Sequence, residues 1–291
     1  MSIIQSIQDC HHQLKSVSKH INQVHYDEHQ LLVIAHPLCK AAISLQGAHL
    51  LYWQPTNEDI PVVWLSEKAL FKKGKAIRGG MPVCWPWFGN TLTPAHGFAR
   101  TTDWHLKNVA ETEEGVELVL SLRENDTTLQ VWPHKFDLEM KFQLGKTCKA
   151  ELMCRGDFSA TSALHTYYGV SDIDSIRVDG LGDNYVEKLS TVNLPKVTGE
   201  MTFNQEVDRI YTHPASVNHI IDRHRKIKIN HFSHSDVVVW NPWADKSKAM
   251  NDLEDNSYQH FVCVETCRIH HPIMLTEQQF AHYGVEISIE K

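Results

Sequence analysis

The sequence predicts an all-β fold with an added N-terminal helix, and three observations carry that expectation. Short apolar runs of strand length recur from Leu31 onward, turn-forming clusters separate them, and no helical stretches alternate with them. Many strands at short intervals without intervening helices point to an antiparallel β sandwich or barrel. The 291 residues, 42% hydrophobic, can bury a full core, and no repeat, low-complexity tract or Pro/Gly/Ser linker divides them, so one domain over 1–291 is expected.

At the amino terminus, Ile3, Ile4, Ile7, Leu14, Val17, Ile21 and Val24 fall near helical spacing, which predicts one amphipathic helix within a 1–25 extension packed outside the main body. The pattern then changes to period two or continuous apolar character. The strand-like runs are "LLVIAH", "AAISLQ", "HLLYWQ", "VELVLSL", "FDLEMKFQL", "KAELMCR", "KIKINH", "DVVVWNP", "HFVCVET" and "YGVEISIE". Turn clusters such as "QPTNED", "KKGK", "RENDTT", "DGLGDN" and "NPWADKSK" punctuate them.

Composition excludes several classes of function. A formal charge of -7 argues against a general nucleic-acid or membrane-surface binder, so any anionic ligand needs a local cationic cluster. The first residues, "MSIIQSIQDCHHQLKS", lack the apolar run of a signal peptide or a membrane span. Seven scattered cysteines fit reduced thiols better than a disulfide framework, most of them as small buried hydrophobes, and a cytoplasmic location is expected. Histidine is abundant, at 20 residues, yet pairs such as His11/His12, His231/His234 and His270/His271 match no zinc signature, so no metal site is expected. Serine-hydrolase and P-loop motifs are absent.

Several stretches combine residue types that carry chemistry. "IRGGMPVCWPWFGN" sets Arg78 before two glycines and a cluster of aromatics. In "PAHGFAR", His96 and Arg100 flank Gly97, which suits a loop whose backbone approaches a ligand while the arginine offers a forked donor; an ordinary surface loop is the alternative. In "ALHTYYGVSDI", alternation puts His165 and Tyr167 on one side of a strand, although most histidines are structural or merely exposed. In "HFVCVETCRI", Glu265 interrupts an apolar strand, where a carboxylate is costly unless paired or working with a raised pKa. That makes it the best candidate general base, against the alternative of a strand-end residue reaching solvent or Arg268. Asp208 and Arg209 in "EVDRIYTH" are adjacent and could pair with each other, a weak signal by itself.

Taken in order, "IRGGMPVCWPWFG", "PAHGFAR", "LHTYYGVSDI", "DRIY", "VVVWNPW" with "KAMNDLEDNSY", and "FVCVE" resemble the glucose-6-phosphate 1-epimerase (hexose-6-phosphate mutarotase) family, a branch of the aldose 1-epimerase superfamily. The resemblance runs from about Leu31 to Glu265. It implies a galactose mutarotase-like β supersandwich, a cofactor-free site on one concave sheet face, and a catalytic His/Glu pair carried here by His165 and Glu265. It implies substrate-binding roles for Arg78, His96, Arg100 and Asp208. Ala95 stands where many members have Gln, and Thr266–Cys267 where the usual pair is Pro-Gly.

On that resemblance Glu265 takes the C1 hydroxyl proton of a hexose 6-phosphate while protonated His165 donates to the ring oxygen, and the roles reverse for reclosure. Arg78 and Arg100, helped by the N–H groups of Gly79 and Gly80, would hold the phosphate. The expected partner is this small-molecule substrate, with no nucleic acid and no membrane, and a monomer. Two other classes use the same kind of sandwich. A non-catalytic carbohydrate- or sugar-phosphate-binding protein would bind without accelerating anomerisation, and a lyase or hydrolase would consume its substrate.

Overall fold

The structure, a computed structural model, describes residues 1–10, 13–190 and 199–290. His11 and His12, weighed above as a histidine pair, lie outside the described residues. Backbone pairing builds three antiparallel sheets of five, eight and seven strands. All ten apolar runs named above fall on strands, from His29–His36 to Phe280–Glu290.

Their packing follows from alternation along each strand. In the eight-stranded sheet, Leu118 and Leu120, Met140 and Phe142, Ala150 and Leu152, and Val285 and Ile287 turn to one side. They join Val237, Val239, Val262 and Val264 of the seven-stranded sheet in one continuous core. Each fully buried Val, Leu or Ile there contributes about 1.5–3 kcal/mol relative to exposure. The intervening residues of the seven-stranded sheet face the opposite way. Val238 stands opposite Glu265, and Tyr167, Cys263, Trp240 and Asp208 are successive cross-strand partners. That second face has its own small apolar cluster, made of Cys84, Phe88, Ala163, Ile210, Val238 and Cys267.

The N-terminal expectation needs correction. The helix is confined to Ile3–Gln8, capped by the Ser2 side chain, and Gln13–Ser18 and Ile21–Tyr26 are strands rather than parts of a 1–25 helical extension. Ile3, Ile4 and Ile7 do present one helical face, with Ile7 fully buried beside Val24, Leu31, Tyr52 and Phe71. Beyond Asp9, however, the spacing of Val17, Ile21 and Val24 fits a strand as well as a helix. Pairing of Ile21 with Ile34 and of Val24 with Leu31 on one edge, and with Gln13–Ser18 on the other, decides the matter, because it gives the backbone groups of this segment partners on both sides.

Further strands went unmarked in the sequence, two of them for a related reason. His105–Thr112 is an edge strand with much of its surface exposed, and Val217–Ile221 is half-buried along its length, so neither displays a strong apolar run. All seven cysteines are free thiols and six are buried.

Candidate active site

Glu265 lies in the middle of a 15-residue strand, Phe261–Leu275, not at its end. Flanking strands pair it on both sides: Val238 opposes Glu265 itself, and Leu164 opposes Thr266. The carboxylate therefore projects from the middle of a sheet and is 1% exposed. Arg268 does not reach it. That guanidinium is spent on the carbonyls of Ser233, His271 and Pro272. Thr266 and Cys267 continue the strand, so the residues that replace Pro-Gly extend the sheet beside the carboxylate.

His165 falls between the strands Phe158–Leu164 and Tyr167–Gly169, where the chain leaves the ladder for two residues. Its N–H donates to Pro82 O at 3.0 Å, and Tyr167 N–H donates to Gly80 O at 2.9 Å. The Arg-Gly-Gly segment thus braces the backbone that carries the histidine. Both glycines are required by close approach and by left-handed backbone. A Cβ on Gly79 (φ +96°) would lie 2.8 Å from Leu65 Cα, and one on Gly80 (φ +69°) 2.4 Å from Leu50 O. Gly80 N–H is already bonded to Trp64 O at 2.6 Å, so it does not form part of an anion nest.

The folded chain brings the six candidate residues together. Arg78, His96, Arg100, His165, Asp208 and Glu265 all line one cavity of about 240 Å³, joined by Phe88, Tyr167, Lys188, Trp240 and Lys246. His165 Nε2 lies 3.3 Å from Glu265 Oε1. The remaining polar atoms of the pair, His165 Nδ1 and Glu265 Oε2, are buried and find no hydrogen-bond partner among the described residues. Among the described residues no three His, Cys, Asp or Glu side chains are grouped to hold a metal ion.

Electrostatics act on the pair in opposite directions. Burial drives the His165 pKa well below its ordinary value, with His96, Arg100 and Arg78 pushing the same way. Burial drives Glu265 well above its ordinary value, and the Asp208 carboxylate adds to the effect against Lys188 and Arg100. An imidazolium facing a carboxylate is therefore disfavoured in the empty site. Both shifts favour the neutral imidazole and the neutral carboxyl over the ion pair. His96 is likewise held neutral, its pKa lowered to about 3 by burial and by Arg100, Lys188 and Arg78.

The charged residues around the pair differ in what they have left to offer. Arg78 Nε and Nη2 both reach the Asp252 carboxylate, each at 3.2 Å, and Nη1 donates to Tyr167 Oη at 3.1 Å. Arg100 donates through Nη2 to Ala95 O at 2.8 Å, its buried Nε has no partner among the described residues, and no carboxylate pairs with it there. Asp208 and Arg209 do not pair with each other. Alternation sends Arg209 to Glu187 at 2.9 Å and Asp208 to Lys188 at 3.2 Å. Burial raises the Asp208 pKa in spite of Lys188.

The aromatic residues of the opening motif also separate. Trp85 and Trp87 belong to the main core with Phe98, whereas Phe88 reaches the cavity wall, with the Lys188 ammonium 5.4 Å above its ring. Lys188, Lys246, Tyr167, Trp240 and Asp252 had no assigned role from sequence; their signal lies only in the topology that brings distant segments to one face. Lys73, by contrast, pairs with Asp103 in solvent and does not line the cavity. A larger cavity of about 800 Å³ lies by Trp64 and Arg225, and none of the six candidate residues lines it.

Comparison with known proteins agrees with this fold. The family model for aldose 1-epimerase matches residues 30–288. The chain belongs to the aldose 1-epimerase family. A protein of Escherichia coli K12, provisionally named glucose-6-phosphate 1-epimerase, is 42% identical over 96% of each chain. A relative of the same provisional name from Haemophilus influenzae is 33% identical, covering 84% of this chain and 86% of that one. The crystal structure of a protein from Salmonella typhimurium, provisionally named a mutarotase, superposes with a TM-score of 0.93 at 40% identity over 96% of each chain. Aldose 1-epimerases interconvert the α and β anomers of a sugar, a reaction that moves a proton onto one hemiacetal oxygen and off the other.

Proposed function

We propose that this enzyme interconverts the α and β anomers of D-glucose 6-phosphate, with His165 and Glu265 as its acid–base pair. The observation that carries the reading is the apposition of those two side chains, 3.3 Å apart, in a cavity rimmed by cations. The hydroxyl oxygen and the ring oxygen of a hemiacetal sit on the same carbon. Two neighbouring proton-transfer groups can therefore address both at once.

Ring opening needs the C1 hydroxyl proton to leave and the ring oxygen to gain one. Ionised Glu265 accepts the first proton while His165 delivers the second. Rotation about C1–C2 and the reverse transfers close the ring on the other face. The pair begins with one proton and ends with one, so a complete turnover needs no exchange with solvent. Burial works against an imidazolium–carboxylate pair, and the phosphate dianion offsets this by adding negative charge near the imidazole. Positioned acid–base catalysis of this kind contributes roughly 10²- to 10⁴-fold.

Arg100 and Lys188 supply the phosphate seat in this reading, with Lys246 at the rim. Arg100 has no carboxylate partner among the described residues, and its planar fork suits a phosphate. His96, held neutral, and Asp208 are placed to hydrogen-bond sugar hydroxyls. The 42% identity to a protein provisionally named glucose-6-phosphate 1-epimerase supports the same substrate. A cytoplasmic site of action follows from a substrate of that kind.

The test is the relaxation of freshly dissolved α-glucose 6-phosphate followed by NMR, with glucose and galactose as controls. Selective acceleration of the phosphorylated sugar is expected. Binding without acceleration would make the protein a sugar-phosphate binder instead.

A further inference from the structure

The larger cavity beside Trp64 carries the opposite charge to the candidate active site. Arg78, Arg100, Lys188 and Lys246 supply cations to the smaller cavity. Glu58, Asp59, Glu67, Asp222 and Glu254 line the larger one, and Arg225 is the one Lys or Arg among the described residues that line it. Its volume of about 800 Å³ lies within the range of small-molecule sites, about 300–1,000 Å³.

The lone guanidinium is already matched. Arg225 Nη1 donates to the Glu58 carboxylate and to Ile60 O, each at 3.1 Å, and Nη2 to Pro61 O at 3.1 Å and Gly169 O at 2.8 Å. Two of the remaining carboxylates are tied to backbone, Glu67 to Ile3 N–H at 2.7 Å and Asp222 to Ser171 N–H at 2.8 Å. The Asp59 and Glu254 carboxylates have no ion pair or hydrogen bond among the described residues. The cavity is thus left with uncompensated negative charge, which concentrates cations and repels phosphate esters.

Acids alone would make an ordinary solvated surface. The walls add two features that point to a ligand. Ser257 lines the cavity at 4% exposure, and its buried Oγ has no hydrogen-bond partner among the described residues, which leaves a polar group to be satisfied at the wall. Trp64, partly exposed, shares the apolar lining with Ile60, Leu65 and Val170, and its indole is fixed by stacking on Phe261 at 4.6 Å. An immobilised indole among carboxylates attracts an ammonium through the negative face of its ring.

We propose that this cavity is a second small-molecule site and that it takes an organic cation, an ammonium group carried on an apolar body. The ammonium is held by the carboxylates of Asp59 and Glu254 with the Ser257 hydroxyl as a further acceptor, and the body packs on Trp64 and Ile60. Anionic sugars are directed by charge to the other cavity.

Three probes that share one body and differ in charge test this on the full chain: 4-phenylbutylammonium, 4-phenylbutanol and 4-phenylbutyrate. Calorimetry reads affinity, and the indole N–H resonance of Trp64, identified by its loss in Trp64→Phe, reads location. The ammonium is expected to bind saturably at one site, to shift that resonance, and to bind about tenfold or more tightly than the alcohol, with no binding of the butyrate. Asp59→Asn combined with Glu254→Gln should weaken the ammonium about threefold to thirtyfold and leave the alcohol unchanged. In the wild type, raising the ionic strength from about 0.01 to 0.15 M should also weaken it, an arm that needs no variant to fold. Equal affinity for ammonium and alcohol overturns the proposal, as does binding of the butyrate, salt-independent affinity, an unshifted Trp64 resonance at saturation, or no binding at all. Displacement of the ammonium by glucose 6-phosphate would put it in the smaller cavity and overturns it too. None of these measurements depends on which sugar the enzyme turns over.

Discussion

His165 Nε2 and Glu265 Oε1 face each other at 3.3 Å in surroundings that discourage a charge on either residue. The pair behaves as one titrating unit that holds a single proton between two displaced pKa values. Doubly protonated it has no base, and fully deprotonated it has no acid.

The pH dependence of kcat/KM should therefore be a broad bell. Its acid limb should lie below 6.5, the ordinary histidine value from which His165 is lowered, and its alkaline limb above 4.5, the ordinary glutamate value from which Glu265 is raised. Initial-rate anomerisation across the pH range checks this, and an acid limb at or above 6.5 would contradict it.

Removing either partner should abolish turnover while leaving sugar-phosphate binding nearly intact. Glu265→Gln and His165→Asn each preserve shape and delete one proton-transfer function, so a loss of at least about 10²-fold is expected. Equilibrium binding of glucose 6-phosphate by calorimetry should stay near the wild-type value. Wild-type turnover in either variant would refute the assignment.

The same two variants should respond to pH in opposite directions when unfolded by urea. In His165→Asn the buried Glu265 keeps its proton after the unfolded chain has lost its own, so stability declines as pH rises above 4.5. In Glu265→Gln the buried His165 stays neutral while the unfolded chain takes up a proton, so stability declines as pH falls below 6.5. Either slope can reach about 1.4 kcal/mol per pH unit.

Arg100→Ala should raise KM for glucose 6-phosphate far more than KM for free glucose. Hydrogen bonds to charged groups are worth about 1.5–3 kcal/mol, or roughly tenfold to more than a hundredfold. Steady-state kinetics on the two sugars make the comparison. Equal losses on both would mean that Arg100 supports the loop around Ala95, not the phosphate.

Gly97→Ala should be among the most damaging small substitutions. A Cβ there would meet Trp85 O at 2.0 Å on left-handed backbone with φ of +71°. Strain and overpacking together predict a loss of at least about 2 kcal/mol, measurable as a lower urea midpoint. His96, also at positive φ, would be carried away from the cavity with the loop.

Much of this site was legible in the sequence because its signals are local. Glu265 stood out as a carboxylate inside an apolar strand, and His165 and Tyr167 were placed on one side by alternation; the cavity contains all six residues named from the motifs. What stayed hidden depends on contacts that no short stretch records. Asp252 grips Arg78 from 174 residues away, so an arginine that looked free in "IRGG" is occupied in the folded chain. Gly80 read as an anion-binding amide because the sequence does not show the Trp64 carbonyl that its N–H meets. The N-terminal error has the same origin: Val17, Ile21 and Val24 satisfy two periodicities, and only pairing of Gln13–Ser18 with Ile21–Tyr26, and of the latter with His29–His36, chooses between them.

Tyr167, Cys263, Trp240 and Asp208 form a row across four neighbouring strands, one rung above the Val238–Glu265 pair. Losing one residue from the strand Asp236–Asn241 would therefore turn Trp240 and Val238 inward and expose valines in their place. The positions that line the candidate site are indexed by the ladder itself. Mutational drift can exchange side chains along this face one at a time, whereas a frame slip of a single residue would erase the cavity and the core together.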